Sequence, residues 1–187
     1  SLNISSEKLG KLMQQMATGK RMLRPSDDPI SAVRVLRIER EEATLTQYRT
    51  NIANVSGNLS KQESNLKAAS DSMLSVRDLL LWAANGSNTS EDLAAIANEL
   101  KTLEGTILSF ANVRDEEGRY LFAGTLSDRP AVTFDAASDS YQLSGNAGHR
   151  QAAVANGVLV EENVTAAEIF GGGVDMLNRL HELVAML

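Results

Sequence analysis

The sequence contains no cysteine, which removes disulfides, thiolate metal sites and cysteine nucleophiles and leaves the chain indifferent to the redox state of its compartment. Aromatic residues make up only 4% of it, against 43% apolar residues overall. So few bulky side chains argue against a large globular interior, while that apolar content is too high for general disorder; thin, extended packing is the expectation. The longest run of strictly apolar residues, Leu79 to Ala84, is far short of the roughly 20 that span a bilayer. No basic flank, greasy core and small-residue cleavage site combine at the amino end, so neither a removable signal peptide nor membrane association is expected, and the chain is expected to be soluble. Net charge is -6, which disfavours a binder of phosphate backbones. Residues 1–60 hold nine Lys/Arg against six Asp/Glu and the remainder nine against eighteen, a polarity along the chain and not a nucleic-acid patch.

Proline is scarce too, and its absence shapes the middle of the chain. Between Pro29 and Ala84 there is no further proline and one glycine, Gly57, so nothing breaks a helix of roughly 55 residues, about 80 Å at about 1.5 Å per residue. Asp28 reads as its N-cap and Pro29 as its first helical residue. Ile38, Leu45, Ile52, Leu59, Leu66, Met73 and Leu80 recur every seventh residue, and a second stripe runs Glu41, Tyr48, Val55, Gln62, Ala69 and Val76, weakened by Glu41 and Gln62. This is coiled-coil patterning. The first stripe is expected to pack mainly on the chain's own antiparallel helices.

A shorter helix precedes it, with Leu9, Leu12, Met13 and Met16 on one face and Gly19 as its stop. After the turn cluster Asn85 to Ser90, Thr89 and Asp92 form a cap for a third helix carrying Leu93, Ile96, Leu100, Leu103, Ile107 and Phe110. Beyond Gly118 the period changes. Arg119 to Thr125, Ala131 to Phe134, Tyr141 to Ser144, Gln151 to Ala155 and Val158 to Val160 read as short strands. Gly171 to Gly173 close this insert, and Met176, Leu177, Leu180, Leu183 and Val184 begin another helix. The expected fold is mainly α with a small β-rich part (α+β): an elongated antiparallel helical rod from residues 1–118 plus 170–187, carrying a small β-rich domain at 119–169.

Candidate chemistry is thin. Asp27 and Asp28 lack a histidine or third carboxylate at ligand spacing and read as a capped turn. Asp115, Glu116 and Glu117 read as a solvated loop without metal. His149 and His181 have no serine or acid arranged around them in a recognisable catalytic motif and read as surface or packing residues. Gly19-Lys20 lacks the glycine spacing of a phosphate loop, and Gly171 to Gly173 lack that of a dinucleotide fold. Arg21, Arg24, Arg34, Arg37 and Arg40 are interleaved with acids and read as an ion-pair surface. No catalytic residue, cofactor or metal is assigned.

Three stretches carry a family resemblance. Gly19, Lys20, Arg21, Met22, Leu23, Arg24, Pro25, Ser26, Asp27, Asp28 and Pro29 resemble the glycine-lysine-arginine turn and proline-serine-aspartate-aspartate-proline helix start of the bacterial flagellar hook-associated protein 3 (FlgL) family. Gly118, Arg119, Tyr120, Leu121, Phe122, Ala123 and Gly124 are similar to the strand after that family's descending helix, although Arg119 stands where a small polar residue is usual. Tyr141, Ser144-Gly145-Asn146, Val158 to Asn163 and Ile169-Phe170 resemble the end of its strand domain. Flagellin's usual asparagine-aspartate-aspartate-alanine helix start differs from Pro25 to Pro29. The resemblance implies a rod similar to the flagellin D1 domain and a structural role at the junction between hook-associated protein 1 and the flagellin filament. It also implies contacts with both of those and with its own copies, an export chaperone for the full-length protein, and delivery outside the cell by the flagellar secretion apparatus without a cleaved signal. Alternatives are a flagellin-like filament subunit and, third, a surface adhesin or signalling coiled coil. The family's terminal helices are largely absent, so the sequence is expected to be a piece of a longer protein and to be monomeric by itself.

Overall fold

The computed structural model describes residues 2–18, 28–171 and 174–187. It contains α1 (Leu2–Thr18), α2 (Pro29–Ala83), α3 (Ser90–Ala111), β1 (Val132–Asp135), β2 (Ser140–Leu143), β3 (Gln151–Ala155), β4 (Val158–Glu161), α4 (Ala166–Ile169) and α5 (Asp175–Met186). The chain is thus a mainly helical α+β protein. It forms two compact units, Ser1–Thr50 and Asn51–Leu187.

In the first unit, α1 ends at Thr18, directly before Gly19, as the stop signal implies. Leu9, Leu12 and Met13 are all exposed; the side chain of Met16 lies outside the described residues. The start of α2 is capped as its sequence requires. Asp28 Oδ1 accepts the backbone N–H groups of Ile30 (3.1 Å) and Ser31 (3.2 Å), and Ser31 Oγ donates to Asp28 Oδ2 (2.6 Å). Pro29, which has no N–H to lose, occupies the first helical position.

In the second unit, the six residues between α2 and α3 turn the chain back. Asn88 Nδ2 donates to the carbonyl of Trp82 (2.6 Å) and to that of Asn85 (3.0 Å). Thr89 and Asp92 then form a complete capping box on α3. Lys61 Nζ in the middle of α2 lies 3.2 Å from Glu116 Oε1, just past the far end of α3, so the two helices run antiparallel. The core gathers Ile96, Leu100 and Ile107 of α3, Leu177 and Leu180 of α5, and Tyr120 to Ala123, Ala131, Val132 and Tyr141 of the strand-rich segment. Two antiparallel hairpins, β1–β2 and β3–β4, complete the unit, the second with a register shift between Ala153 and Ala155.

Two expectations change. Only Leu66, Met73 and Leu80 of the first heptad stripe pack on this core. Ile38 (54% exposed) and Leu45 (60%) in the first unit, and Ile52 (49%) and Leu59 (38%) in the second, stay open. Within the second unit the reason is reach: α3, with 22 residues at about 1.5 Å each, runs back along α2 only as far as the neighbourhood of Lys61 and stops short of Leu59 and Ile52. In their place the second stripe is buried, at Val55, Gln62 and Ala69. Residues 119–125 form no strand; Tyr120 makes one isolated bridge to Arg114 and the rest turns sharply. The acidic run is the solvated loop expected, with Glu116 and Glu117 exposed and Asp115 ordering it as a turn. Asp115 Oδ1 accepts the amides of Glu117 (2.8 Å) and Arg119 (3.0 Å), and Gly118 takes φ +80°, which a side chain resists. Burial pushes the Asp115 carboxyl up, but those two amides and the Arg119 guanidinium outweigh it and hold it below its ordinary range.

Candidate functional site

The segment Gly118 to Gly124 forms a clasp at the centre of the second unit. Leu121, Phe122 and Ala123 are 4%, 2% and 0% exposed, and the backbone around them is tied to several separate parts of the chain. The Leu121 amide donates to the Val113 carbonyl at the end of α3 (3.1 Å), and the Tyr120 amide to Ser127 (2.9 Å). The Phe122 carbonyl accepts from Ala166 at the start of α4 (2.8 Å), and the Ala123 carbonyl from Asn146 (3.0 Å). The Arg114 guanidinium lies 4.5 Å over the Tyr120 ring and donates to its hydroxyl.

Gly124 makes this closure possible. Its φ is +71°, and a Cβ there would sit 2.0 Å from Asn146 Oδ1 and 2.4 Å from the Asn146 carbonyl oxygen. With that space empty, Asn146 Oδ1 accepts the amides of Thr125 (2.8 Å) and Gly148 (3.0 Å), and its Nδ2 donates to Thr125 Oγ1 (2.6 Å).

Further amide side chains act as brackets that replace a missing strand partner. Asn112 donates to the Val132 carbonyl (2.7 Å) and accepts from its amide (3.0 Å). Asn178 does the same with Tyr141, at 3.1 Å and 2.6 Å. Asn163 joins Arg150 to Gly148, and Gln62, 1% exposed, joins α2 to the chain after β4. Gln62 Nε2 donates to the Glu162 carbonyl (3.1 Å) and its Oε1 accepts the Val164 amide (2.7 Å). In the sequence Gln62 looks like a flaw in the heptads; in the fold it holds the second hairpin to α2. Substituting Gln62→Leu leaves the half-buried Val164 N–H and Glu162 C=O without their side-chain partner and is expected to cost about 1–2 kcal/mol of stability. Urea unfolding followed by circular dichroism checks this, and a loss of under about 0.5 kcal/mol would show that the bracket is dispensable.

Between α2 and the second hairpin lies an open apolar face. Ile52, Val55 and Leu59 of α2 with Val154 and Val160 of the second hairpin line a groove of about 590 Å³. A second groove of about 460 Å³ runs between Met73, Val76 and Leu80, Ile107, and Met176, Leu180 and Leu183. Gly19, Lys20, Arg21, Pro25, Ser26 and Asp27 lie outside the described residues, so of the first motif Asp28 and Pro29 alone are placed, both at the α2 cap. Among the described residues no cluster of three metal-ligating side chains exists, and no helix is long and apolar enough to cross a membrane.

Residues 1–127 match the model of the bacterial flagellin N-terminal helical region. The flagellar hook-associated protein 3 of Salmonella typhimurium strain LT2 is 31% identical over 160 residues, which cover 86% of this chain and 49% of that protein. The chain therefore spans about half the length of this relative. A solved structure described as a flagellar hook-associated protein from Vibrio parahaemolyticus superposes with a TM-score of 0.78 at 41% identity, covering 87% of this chain and 72% of the other. The flagellar junction protein FlgL from Legionella pneumophila superposes with a TM-score of 0.62 at 26% identity, over 75% of this chain and 42% of that one. The family match over residues 1–127, with the similarity to these relatives over most of the chain, makes it a member of the bacterial flagellin family, in its hook-associated protein 3 (FlgL) group.

Proposed function

We propose that the chain is a structural subunit of the bacterial flagellum at the junction between hook-associated protein 1 and the flagellin filament, acting outside the cell and without catalysis. The observation that carries this reading is the similarity to hook-associated protein 3 over 86% of the chain, supported by the Legionella relative described as a junction protein. The open heptad positions fit it physically. Ile38 and Leu45 in one unit, and Ile52 and Leu59 in the other, are apolar side chains on exposed helix faces, and such positions gain when a further helix covers them. Partners of the full-length protein on this reading are hook-associated protein 1, flagellin, its own copies and an export chaperone, with export that leaves no cleaved signal. The division into a rod, 1–118 plus 170–187, and a β-rich part, 119–169, belongs to the same proposal. Cells lacking the gene are expected to build hooks and to release flagellin into the medium. Normal filaments in such cells would remove the junction role, and unaided growth of the full-length protein into long filaments would assign it to the filament instead.

A further inference from the structure

Both ring nitrogens of His181 face carboxylates. Nδ1 lies 2.7 Å from Glu104 Oε1 on α3, and Nε2 lies 2.9 Å from Asp139 Oδ1 in the turn between β1 and β2. A neutral imidazole has one N–H and one lone pair. Only the imidazolium can donate to both acids; in the neutral ring one lone pair would be set against a carboxylate oxygen. Glu104 makes the arrangement matter, because it is 5% exposed and a buried carboxylate that loses its cation is costly. The His181 ring is also fixed in place, edge-on to Phe134 (centroids 5.3 Å) and to Tyr141 (5.8 Å). One proton therefore ties together α3, the first hairpin and α5.

We propose that α5 is held to α3 and to the first hairpin by a proton-dependent clasp, closed while His181 is an imidazolium and loosened when it becomes neutral. The titratable groups facing His181 are Glu104 from α3, Asp139 from the hairpin turn and Tyr141 from β2; on α5 itself Arg179 and Glu182 are its sequence neighbours. The hydrogen bond to Asp139 raises the His181 pKa above its ordinary 6.5; burial opposes this, and Glu104 adds to the rise. Burial, then the charge and hydrogen bond of Glu104, push Tyr141 up to about 12, so it stays protonated through the range in which His181 titrates. A raised folded-state pKa means that the stabilisation is complete below about 6.5 and is lost as pH rises through the higher, folded value. The other histidine, His149, lies between Glu161 of β4 (3.6 Å) and Glu168 of α4, so the readout is taken on α5 itself.

The test is site-resolved amide exchange of α5 in the whole chain, corrected for the intrinsic pH dependence of exchange, together with an NMR titration of His181 from about pH 6 to about pH 9. Protection of the α5 amides is expected to fall through the His181 titration, by roughly tenfold for each unit by which the folded pKa exceeds 6.5. His181→Gln should remove that fall and leave protection low and flat. Asp139→Asn keeps a residue that tolerates the φ of +50° at this position, so it preserves the turn while lowering the His181 pKa and shrinking the effect; it serves if His181→Gln does not fold. Titration of His181 at or below 6.5, or α5 protection that stays constant through it, overturns the proposal.

Discussion

Replacing Gly124 with alanine is expected to cost about 4 kcal/mol of folding free energy, at the upper end for a single substitution. Two effects add. A side chain at φ +71° holds the backbone in a left-handed conformation at about 1–2 kcal/mol. The new Cβ would also overlap the backbone oxygen of Asn146 at 2.4 Å, and a carbonyl fixed in a turn cannot swing aside as a side-chain tip can. Asn146 must move, and its bonds to Thr125 and Gly148 go with it at roughly 1 kcal/mol each. Gly57→Ala is the matched control. Gly57 lies inside α2 with nothing within 4 Å of its missing Cβ, so alanine there should stabilise by about 0.5–1 kcal/mol through helix propensity. Opposite signs in urea midpoints establish the clasp; a Gly124→Ala loss below about 1 kcal/mol would refute it.

Phe122→Ala should cost about 3–5 kcal/mol, the range for emptying a buried aromatic site. Phe122 is 2% exposed and lies in the core that holds Leu100, Ile107, Val132 and Leu177. Its backbone is pinned on both sides by the clasp, so the surroundings cannot collapse into the gap. Trp82, by contrast, is 63% exposed, and Trp82→Ala should change stability by no more than about 0.5 kcal/mol. Since Trp82 is the single tryptophan and stands outside the core, circular dichroism is the better probe of both variants. Similar losses for the two would mean that the aromatic core is not where the fold is decided.

Much of this architecture is legible from local signals. Asp28-Pro29 and the Thr89–Asp92 box mark helix starts because a cap is made by residues within three positions of each other. The four hairpin strands fall within about a residue of their expected bounds, since alternation and turn residues are also local. The same reading fails at 119–125. Tyr120, Leu121, Phe122 and Ala123 have strand composition, but the neighbours that complete their hydrogen bonds, Ser127, Val113, Ala166 and Asn146 in turn, come from separate parts of the chain. A bend set by distant partners leaves no period in the sequence.

By itself the sequence determined the helices other than α4, the caps of α2 and α3, the hairpins and the family to which they belong, because these follow from short-range backbone preferences and from motifs a few residues long. Tertiary structure alone decided which heptad stripe is buried. Ile38, Leu45, Ile52 and Leu59 carry the better pattern yet stay open, whereas Val55, Gln62 and Ala69 are covered. Periodicity states that a helix face can be buried; the length and placement of what packs on it determine whether it is. The same holds for Gln62 and His181, whose polar atoms acquire their roles only when residues about 100 and 77 positions away are folded against them.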